Sequence, residues 1–402
     1  MGLLSGIRIV DFSRILSGPY LTMSLGDLGA DVIKIEQPKL GDDTRHWGPP
    51  FYGEDSTYYL SINRNKRSIA IDLRAPEGRD LALRLVRAAD VVVENFRHGG
   101  MEKLGLGYET LRAVKPDLVM LRISAFGETG PDRDLPGYDL LAQATAGLMS
   151  LTGNPGEPPV KTGFAVADLA AALFGMNAVL AALVHRERTG KGQYIATSLF
   201  ETQIALHVNW AQNYFANQRD PQPLGSAHPN LAPYQAFRAE DGYFVLAVGN
   251  DALFRKLCEA LGRPELADDE AFSTNAARVR NRERLAEILT AIFAGRTRDA
   301  WCALLREAGV PAGPIQSIAQ VYASPQFAAL GQLKSVRHPV AGDLPQVGFP
   351  AHLSEDPPEI SRHPPLRGEH TREIAREAGL DDAEIDRLLS EGILEETGVR
   401  IW

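Results

Sequence analysis

Short runs of β-branched and other apolar residues alternate with amphipathic stretches along the first 125 residues. The sequence from Pro76, for example, places Leu81, Leu85 and Val86 on one helical face. Strands that are apolar throughout and alternate with helices are typical of a parallel sheet covered on both faces. The N-terminal half is therefore predicted to be α/β, with strands at 7–12, 30–36, 67–73, 90–96, 117–124 and, after a long apolar helix, 194–200.

A different pattern begins near residue 225. Two β runs flank Asp241-Gly242, which is a hairpin signal, and helical stretches follow at about 251–262, 280–295 and 298–308. The preceding segment is polar and is predicted to be a linker. Pro- and Gly-rich sequence with short strands follows, and short helices near 371–378 and 381–392 end the chain.

Composition narrows the class of protein. The 402 residues include 42 Lys and Arg against 51 Asp and Glu, a net charge of −9, which disfavours a broad nucleic-acid-binding face. Cys258 and Cys302 lack the spacing of a disulfide framework or zinc site, and the nine histidines lack ligand-like spacing, so no metal is expected. The N-terminal apolar run is too short for a signal peptide, and the uncharged stretch 169–184 is short for a membrane span. We expect a cytoplasmic protein without a membrane partner.

The most informative single residue is Asp168, which stands between GFAVA and the long apolar helix. GxGxxG after a strand, the P-loop, HExxH and GxSxG are all absent. Asp168 fits a helix N-cap, a role that contributes about 1 kcal/mol. A carboxylate beside the free N–H groups of a helix N-terminus is also a candidate nucleophile toward activated acyl groups. The residue pattern alone leaves both roles open.

Blocks along essentially the whole chain resemble the family III CoA-transferases of the CaiB/BaiF type. They include IRIVDFSRILSGPYLTMSLGDLGADVIKIEQP, ADVVVENFRHGGMEKLGLGYETL, SAFGETGP and DLAAALFGMNAVLAALVHRERTGKGQ. The blocks GDDTRHWGPPF to STYYLSINRNKRS and APYQAFRAEDGYFVLAVGN most resemble the succinate-hydroxymethylglutarate branch, which moves CoA from succinyl-CoA to dicarboxylates such as glutarate.

The resemblance implies an α/β fold with a large domain, built on a parallel Rossmann-like sheet flanked by helices, and a smaller α+β domain. It implies an interlocked homodimer. The implied boundaries are a large CoA-binding domain over 1–200, a linker over 201–224, a small domain over 225–324, and a return segment over 325–402 that completes the large domain.

The resemblance also implies a mechanism and a site. Asp168 falls on the family's nucleophile, which forms first a mixed anhydride and then an aspartyl-CoA thioester, and Asp139 matches an acidic residue beside the reacting carboxylates. Coenzyme A enters as a thioester co-substrate, and no tightly bound cofactor is expected. Implied CoA contacts are Ile15, Leu16, Ile71, Asp72, Leu73, Arg74, Asn95, Phe96, Arg97, Lys103 and Tyr138.

The substrate carboxylate has its own candidates, because a bidentate Arg is the natural partner of that group. They are Arg45 and Arg64, with Asn63 and Lys66 in the same block. The sequence departs from formyl-CoA transferase at Gln37, where that enzyme has a basic residue, and at Leu16, where it has Gln. HPNLAPYQAF also replaces its glycine-rich lid, which disfavours formate and oxalate as substrates.

Three alternatives remain at this stage. A formyl-CoA or carnitine-type CoA-transferase shares the expected fold and nucleophile. A 2-methylacyl-CoA racemase needs a His-type base, but Tyr138 precedes Asp139 where racemases carry His. A non-catalytic CoA-binding regulator is the alternative outside enzymes, and it has no need of a nucleophile.

Overall fold

The computed structural model describes residues 2–53 and 55–397. The strands in chain order are β1 (Arg8–Asp11), β2 (Asp31–Glu36), β3 (Phe51–Tyr52), β4 (Asp55–Ser56), β5 (Lys66–Ile71), β6 (Val91–Glu94), β7 (Val119–Ser124), β8 (Gln193–Ser198), β9 (Tyr234–Arg238), β10 (Tyr243–Ala247), β11 (Ala312–Pro314), β12 (Leu333–His338), β13 (Gly342–Val347) and β14 (Leu394–Glu395).

The helices are α1 (Ser17–Asp27), α2 (Thr57–Ser61), α3 (Pro76–Arg87), α4 (Gly100–Lys103), α5 (Tyr108–Val114), α6 (Asp139–Thr145), α7 (Leu148–Leu151), α8 (Val166–Thr189), α9 (Leu199–Ala205), α10 (Val208–Asn217), α11 (Asp251–Ala260), α12 (Glu265–Asp268), α13 (Asn275–Arg280), α14 (Arg282–Phe293), α15 (Arg298–Glu307), α16 (Ile318–Tyr322), α17 (Pro325–Leu330), α18 (Thr371–Glu377) and α19 (Asp382–Ser390). A 3₁₀ turn spans Asp43–His46.

The chain forms two compact units. Among the described residues, the first unit comprises 2–53, 55–146, 163–206 and 328–397, and the second comprises 147–162 and 207–327. The expected linker at 201–224 is largely helical, because α9 and α10 occupy most of it. None of the α10 side chains is buried, although the helix includes Val208, Tyr214 and Phe215.

The large sheet of the first unit confirms the predicted α/β architecture. Its strands lie in the order β14-β5-β2-β1-β6-β7-β8, with every pair parallel except the antiparallel β14-β5 pair. Successive side chains on a strand point to opposite faces, so Ile9 and Val10 join different cores. α3, α5, α18 and α19 cover one face, and α1 and α8 cover the other.

The strand order reverses direction between β1 and β6. From β1 the chain proceeds through β2 to β5 on one side, and from β6 it proceeds through β7 to β8 on the other. The loops after β1 and β6 therefore separate at this point, leaving a crevice at the carboxyl edge of the sheet. Open α/β sheets bind ligands at such a position.

Buried ion pairs support the loop after β1. Lys34 Nζ lies 2.8 Å from Asp42 Oδ2, and both side chains are almost fully buried. Burial alone opposes the charged form of Asp42, but Lys34 and hydrogen bonds from Thr44 lower its pKa to about 2. Asp42 also accepts the backbone N–H of Ile15 at 3.3 Å. The pair thus fixes backbone at the edge of the crevice.

The second unit has a core of its own. Its antiparallel sheet, in the order β11-β10-β9, packs against α11, α14 and α15. Phe237, Phe244 and Trp301 surround Phe293 edge to face, with ring centroids 5.0 to 5.2 Å away. The hairpin expected around Asp241-Gly242 is present as β9 and β10.

α8 is the central helix of the first unit. Within the described residues it alone is long and apolar enough to span a membrane, and half of its apolar stretch is buried in the fold. Ala171 and Val179 face the sheet, whereas Leu173, Phe174 and Val184 are exposed. The predicted buried helix is therefore present, with one face packed and the other open.

Replacing Lys34 by Met is expected to destabilise the protein strongly, because it leaves the Asp42 carboxylate buried without its partner. Losing one member of a buried ion pair costs about 3 to 5 kcal/mol. The free energy of unfolding from urea denaturation measures the effect. Arg337→Ala is the control, since the Arg337–Asp343 pair is exposed, and it is expected to change little. Equal stabilities for the two variants would contradict the role of the buried pair.

Candidate active site

Two cavities lie at the carboxyl edge of the large sheet. The first, the Asp168 cavity, has a volume of about 140 Å³. Its lining comes from the loops after β1, β6 and β7 and from the starts of α1, α8 and α9: Arg14, Ile15, Ser17, Asn95, Phe96, Arg97, His98, Ile123, Ser124, Ala125, Arg133, Leu135, Pro136, Gly137, Tyr138, Asp168 and Leu199.

The second cavity, the Arg74 cavity, has a volume of about 280 Å³. It is lined by Phe12, Arg14, Lys34, Ile35, Glu36, Gln37, Pro38, Lys39, Gly41, Asp42, Ile71, Asp72, Leu73, Arg74, Phe96, Leu104 and Gly392. Both cavities share Arg14 and Phe96, and the Arg14 guanidinium carbon lies 5.3 Å from the centre of the Phe96 ring. A long, thin ligand can therefore follow the edge of the sheet from one cavity to the other.

Asp168 lies in the first turn of α8 with a half-buried side chain. Burial, followed by the negative charge of Asp139, raises the pKa of Asp168 to about 7, although hydrogen bonding to the hydroxyl and N–H of Ser17 favours the ionised form. A large fraction of Asp168 is therefore ionised near neutral pH, but without a full hydration shell. A poorly solvated carboxylate of this kind is a stronger nucleophile than an ordinary surface aspartate.

Asp139 stabilises the start of α8. Its Oδ1 accepts the N–H of Ala167 at 2.8 Å, and its Oδ2 accepts Gln143 Nε2 at 2.6 Å. The N-cap position of α8 is Ala165, whose side chain cannot accept a hydrogen bond. Asp139 thus provides a cap for α8 from another helix, so Asp168 is not the residue that caps Ala167.

Tyr58 is the other titratable group close to both aspartates. Burial and then the charges of Asp168, Asp139 and Asp42 raise its pKa to about 12. The Tyr58 ring packs edge to face on Trp47, with centroids 5.4 Å apart. Tyr58 therefore stays protonated at neutral pH.

Comparison with known proteins decides the family. A family model described as CoA-transferase family III matches residues 4–371. The chain belongs to this family. Two curated relatives are the succinyl-CoA:glutarate CoA-transferase of Mus musculus, 42% identical over 98% of this chain and 90% of the relative, and the succinate–glutarate CoA-transferase of Agrobacterium fabrum, 44% identical over 93% and 95%.

A solved structure has the same fold. The crystal structure of a CAIB/BAIF family protein from Brucella suis superposes with a TM-score of 0.82 at 45% identity and covers 94% of this chain and 99% of its own. The predicted family resemblance is thus confirmed, and this protein is a family III CoA-transferase, whose co-substrates are CoA thioesters.

The structure distributes the predicted CoA contacts over the two cavities. Ile15, Asn95, Arg97 and Tyr138 line the Asp168 cavity. The segment 71–74 lines the Arg74 cavity, and Phe96 lines both. Two candidates line neither: Leu16 is buried at the N-cap of α1, and Lys103 is exposed on α4.

The two arginines predicted for the substrate carboxylate are held by the protein itself. Arg45 bonds Glu36 at 2.7 and 2.8 Å and Asp55 at 2.7 Å, and Arg64 bonds Asp27 at 2.6 and 2.9 Å. Both side chains are almost completely buried. Their guanidinium groups neutralise carboxylates of the fold, so neither is retained as a substrate ligand.

Sequence reasoning missed several residues of the two cavities, among them Arg14, Ser17, Lys39, His98 and Arg133. Arg14 and Ser17 are the residues on either side of the predicted contacts Ile15 and Leu16. This adjacency in the sequence was a signal that could have identified them. Lys39 lines the same cavity as Gln37. It supplies a basic group close to the position where formyl-CoA transferase has a basic residue and this chain has Gln37. Only tertiary structure brings Tyr58 to Asp168.

Within the described residues, no group of three or more His, Cys, Asp or Glu side chains is arranged to hold a metal ion. Among the same residues, the Nδ1 atom of His98 is buried without a hydrogen-bond partner. The side chains that line the Asp168 cavity provide a carboxylate, hydroxyl and amide groups, and several cations. These groups suit chemistry on a carboxyl group.

Asp168→Asn is expected to stabilise the protein more at about pH 8 than at about pH 5. Because the folded pKa of Asp168 lies above its ordinary value of 3.8, the folded state binds more protons than the unfolded chain, and stability falls as pH rises through that window. Melting temperatures of wild type and variant at the two pH values measure this. Asp299→Asn, at an exposed aspartate of α15, is the control at both pH values. A variant destabilised equally at both pH values would favour the capping role.

Proposed function

We propose that the enzyme transfers CoA from succinyl-CoA to a short dicarboxylate such as glutarate or hydroxymethylglutarate. The observation that carries the proposal is the position of the half-buried Asp168 carboxylate. It lines a cavity that shares the lining residues Arg14 and Phe96 with the Arg74 cavity. Relatives at 42 and 44% identity are named succinyl-CoA:glutarate and succinate–glutarate CoA-transferases, which supports the donor and the acceptor.

The proposed reaction begins when the Asp168 carboxylate attacks the acyl carbonyl carbon of succinyl-CoA. The C–S bond breaks, CoA leaves as the thiolate, and a mixed anhydride joins Asp168 to the succinyl group. The thiolate then attacks the carboxyl carbon of Asp168, which releases succinate and forms the aspartyl-CoA thioester. The acceptor carboxylate repeats the two steps in reverse. Each bond broken is of similar reactivity to the bond formed, so the cycle needs no external energy source.

Charge in the two cavities supports the arrangement of the substrates. Arg14 lies where the cavities meet, and Arg74 and Lys39 line the larger one, which suits the phosphates of CoA. Arg97 and Arg133 line the Asp168 cavity and are the candidates for the second carboxylate of the acceptor. Arg133 pairs with the exposed Asp134, at 3.4 Å, whereas the pairs of Arg45 and Arg64 are buried. Short dicarboxylates that differ by one methylene are discriminated by only about 1 to 3 kcal/mol, so we propose a group of acceptors.

A homodimer is part of the proposal. α6 and α8 expose Leu140, Leu141, Leu173, Phe174 and Val184, each more than 40% accessible. An apolar surface on this scale is typical of an interface, and a second copy of the chain is the proposed partner at this surface.

A cytoplasmic location is also part of the proposal. Cys258 and Cys302 are both buried free thiols, and a reducing compartment maintains thiols in this state.

Asp168→Asn is expected to reduce CoA transfer to background, because the amide cannot form the anhydride. The assay supplies succinyl-CoA with a panel of mono- and dicarboxylates and identifies acyl-CoA products by mass spectrometry. Mass spectrometry of the wild-type protein incubated with succinyl-CoA is expected to detect CoA attached at Asp168. Asp299→Asn, at an exposed aspartate of α15, serves as the matched control and is expected to retain transfer.

Two results would contradict the proposed function. Transfer by Asp168→Asn at the wild-type rate would exclude the covalent route. Exchange of the α-hydrogen of a 2-methylacyl-CoA in deuterated water, without transfer, would favour racemase chemistry, for which His98 in the same cavity is the available base.

Phe174→Glu is expected to weaken the dimer, because it places a charge in the proposed apolar interface. Light scattering coupled to size-exclusion chromatography gives the mass of each species. Glu187→Lys, an exposed charge change on the same helix, provides a comparison. A wild-type protein that elutes as a 43.8 kDa monomer would refute the dimer.

A further inference from the structure

A buried pair of opposite charges lies at the base of the loop after β6. Glu94 is the last residue of β6 and is 2% exposed, and Arg122 on the neighbouring strand β7 is 4% exposed. The two residues are partners in the register of the parallel sheet, so their side chains lie on the same face. Arg122 Nε lies 3.2 Å from Glu94 Oε1. The proposed reaction uses neither residue.

Arg122 faces a second carboxylate as well. Its Nε lies 3.4 Å from Oε1 of Glu128, which follows β7, and the other Glu128 oxygen accepts the Tyr194 hydroxyl at 3.3 Å. Glu128 is half-buried, so it is in contact with solvent to a greater extent than Glu94. A carboxylate as deeply buried as Glu94 is costly unless both of its oxygens have partners.

The second partner of Glu94 is the backbone of the loop that lines the cavities. Glu94 Oε2 accepts the Phe96 N–H at 2.7 Å, so the side chain bonds the backbone two residues further along. A hydrogen bond to an ionised acceptor is about twice as strong as one between neutral groups. The two oxygens of Glu94 therefore tie the loop backbone to the neighbouring strand.

Phe96 is held from several other directions. The Arg14 guanidinium lies over its ring, and the Asn95 amide bonds both the N–H and the carbonyl of Arg14, at 2.8 and 2.7 Å. A Cβ atom at Gly100 would lie 2.8 Å from the Phe96 Cβ, so the start of α4 packs closely on this residue. Phe96 lines both cavities. Its ring is thus part of the wall that the two cavities share.

We propose that Glu94 is a positioning residue for coenzyme A, because its carboxylate fixes the Phe96 backbone and with it the wall that the two cavities share. This role rests on the proposed function, in which CoA extends along both cavities. A wall that is in place before the ligand arrives removes the free-energy cost of ordering the loop on binding. Glu94 touches no reacting atom, so it acts on the affinity for CoA and not on the bond-forming steps.

The alternative is a purely structural role, in which Glu94 does no more than neutralise Arg122. Glu128 would then be an equivalent partner, since its oxygen lies at a similar distance from the same Nε atom. The two glutamates differ in their second contact, which is the Phe96 N–H for Glu94 and the Tyr194 hydroxyl for Glu128. Comparing the same substitution at both positions therefore separates the two roles.

Glu94→Gln tests the proposal. Glutamine has the same length but a single acceptor oxygen and no charge, so it cannot serve the Phe96 N–H and Arg122 together. We expect the Kd of coenzyme A, measured by calorimetry, and the KM of succinyl-CoA each to rise about tenfold, as for the loss of one charge-assisted hydrogen bond. The value of kcat is expected to stay within about twofold of wild type, because the loss is one of binding.

Glu128→Gln is the matched control. It removes a carboxylate from the same arginine but leaves the bond between Glu94 and the Phe96 N–H in place. Because an ion pair that reaches solvent contributes little, the Kd of coenzyme A is expected to stay within about twofold of wild type.

A second readout depends on pH. Burial raises the pKa of Glu94 to about 7, although Arg122 and the Phe96 N–H favour the ionised form. Glu94 is therefore mostly protonated at about pH 6 and mostly ionised at about pH 8, and the rise in Kd caused by Glu94→Gln is expected to be larger at the higher pH. The charged and titratable groups that face Glu94 are unchanged in the variant: Arg122 on β7, Glu128 after it, Glu102 on α4 and Tyr194 on β8.

The outcomes are distinguishable. Equal rises in Kd for Glu94→Gln and Glu128→Gln would overturn the proposal, because they would assign the whole effect to Arg122. An unchanged Kd in Glu94→Gln, with or without a loss of kcat, would overturn it as well. A rise in Kd for Glu94→Gln alone, in a protein whose wild type transfers CoA to no carboxylate, would support the role of Glu94 and refute the proposed function.

A measurement on the wild-type protein covers the case in which Glu94→Gln does not fold. Hydrogen–deuterium exchange at the Phe96 amide, followed by mass spectrometry, reports the bond to Glu94 directly. The amide is expected to be protected before coenzyme A is added. Exchange at the rate of a free loop amide would refute the proposal.

Discussion

The buried Lys34–Asp42 ion pair is the interaction on which the geometry of the site depends. An ionised pair without solvent is stable only when every remaining donor and acceptor is satisfied. Lys34 accordingly also donates to the Ser13 carbonyl at 3.0 Å, and Asp42 accepts the N–H groups of Ile15 and Thr44. The requirement to satisfy these charges fixes the loop after β1, and that loop determines where α1 begins.

The ionised form of Asp168 costs stability. The side chain is half-buried, and burial and the negative charge of Asp139 both raise its pKa. A poorly solvated carboxylate is a stronger nucleophile than a fully solvated one, and the same poor solvation makes its ionisation costly. Asp139 also stabilises this part of the fold. Its carboxylate accepts a hydrogen bond from the Ala167 N–H, and this bond holds the start of α8 independently of Asp168.

The position of the cavities follows from sheet topology. The loops after β1 and β6 diverge where the strand order reverses, and Arg14 and Phe96, one from each loop, line both cavities. Residues that are 82 positions apart in the chain therefore form one continuous surface. This surface explains why the predicted CoA contacts come from short segments scattered over the first 140 residues.

The sequence by itself determined the strands of the parallel sheet and the long apolar helix, and it singled out Asp168 as a candidate nucleophile. These features depend on local periodicity and on helix boundaries, which are properties of neighbouring residues. The family resemblance added the expected catalytic chemistry and the predicted CoA contacts. The exposed helix α10 was not predicted in this way, because none of its side chains packs into a core.

Only the tertiary structure decided which arginines are buried in ion pairs. Arginine is the side chain expected of a carboxylate ligand. Arg45, however, forms ion pairs with Glu36 and Asp55, and Arg64 forms one with Asp27. The partners lie up to 37 positions away in the chain, so no local pattern reveals them. The charges that act on Asp168 and Tyr58 are equally non-local. The pKa of Asp168 depends on burial and on charges that only the folded chain brings together.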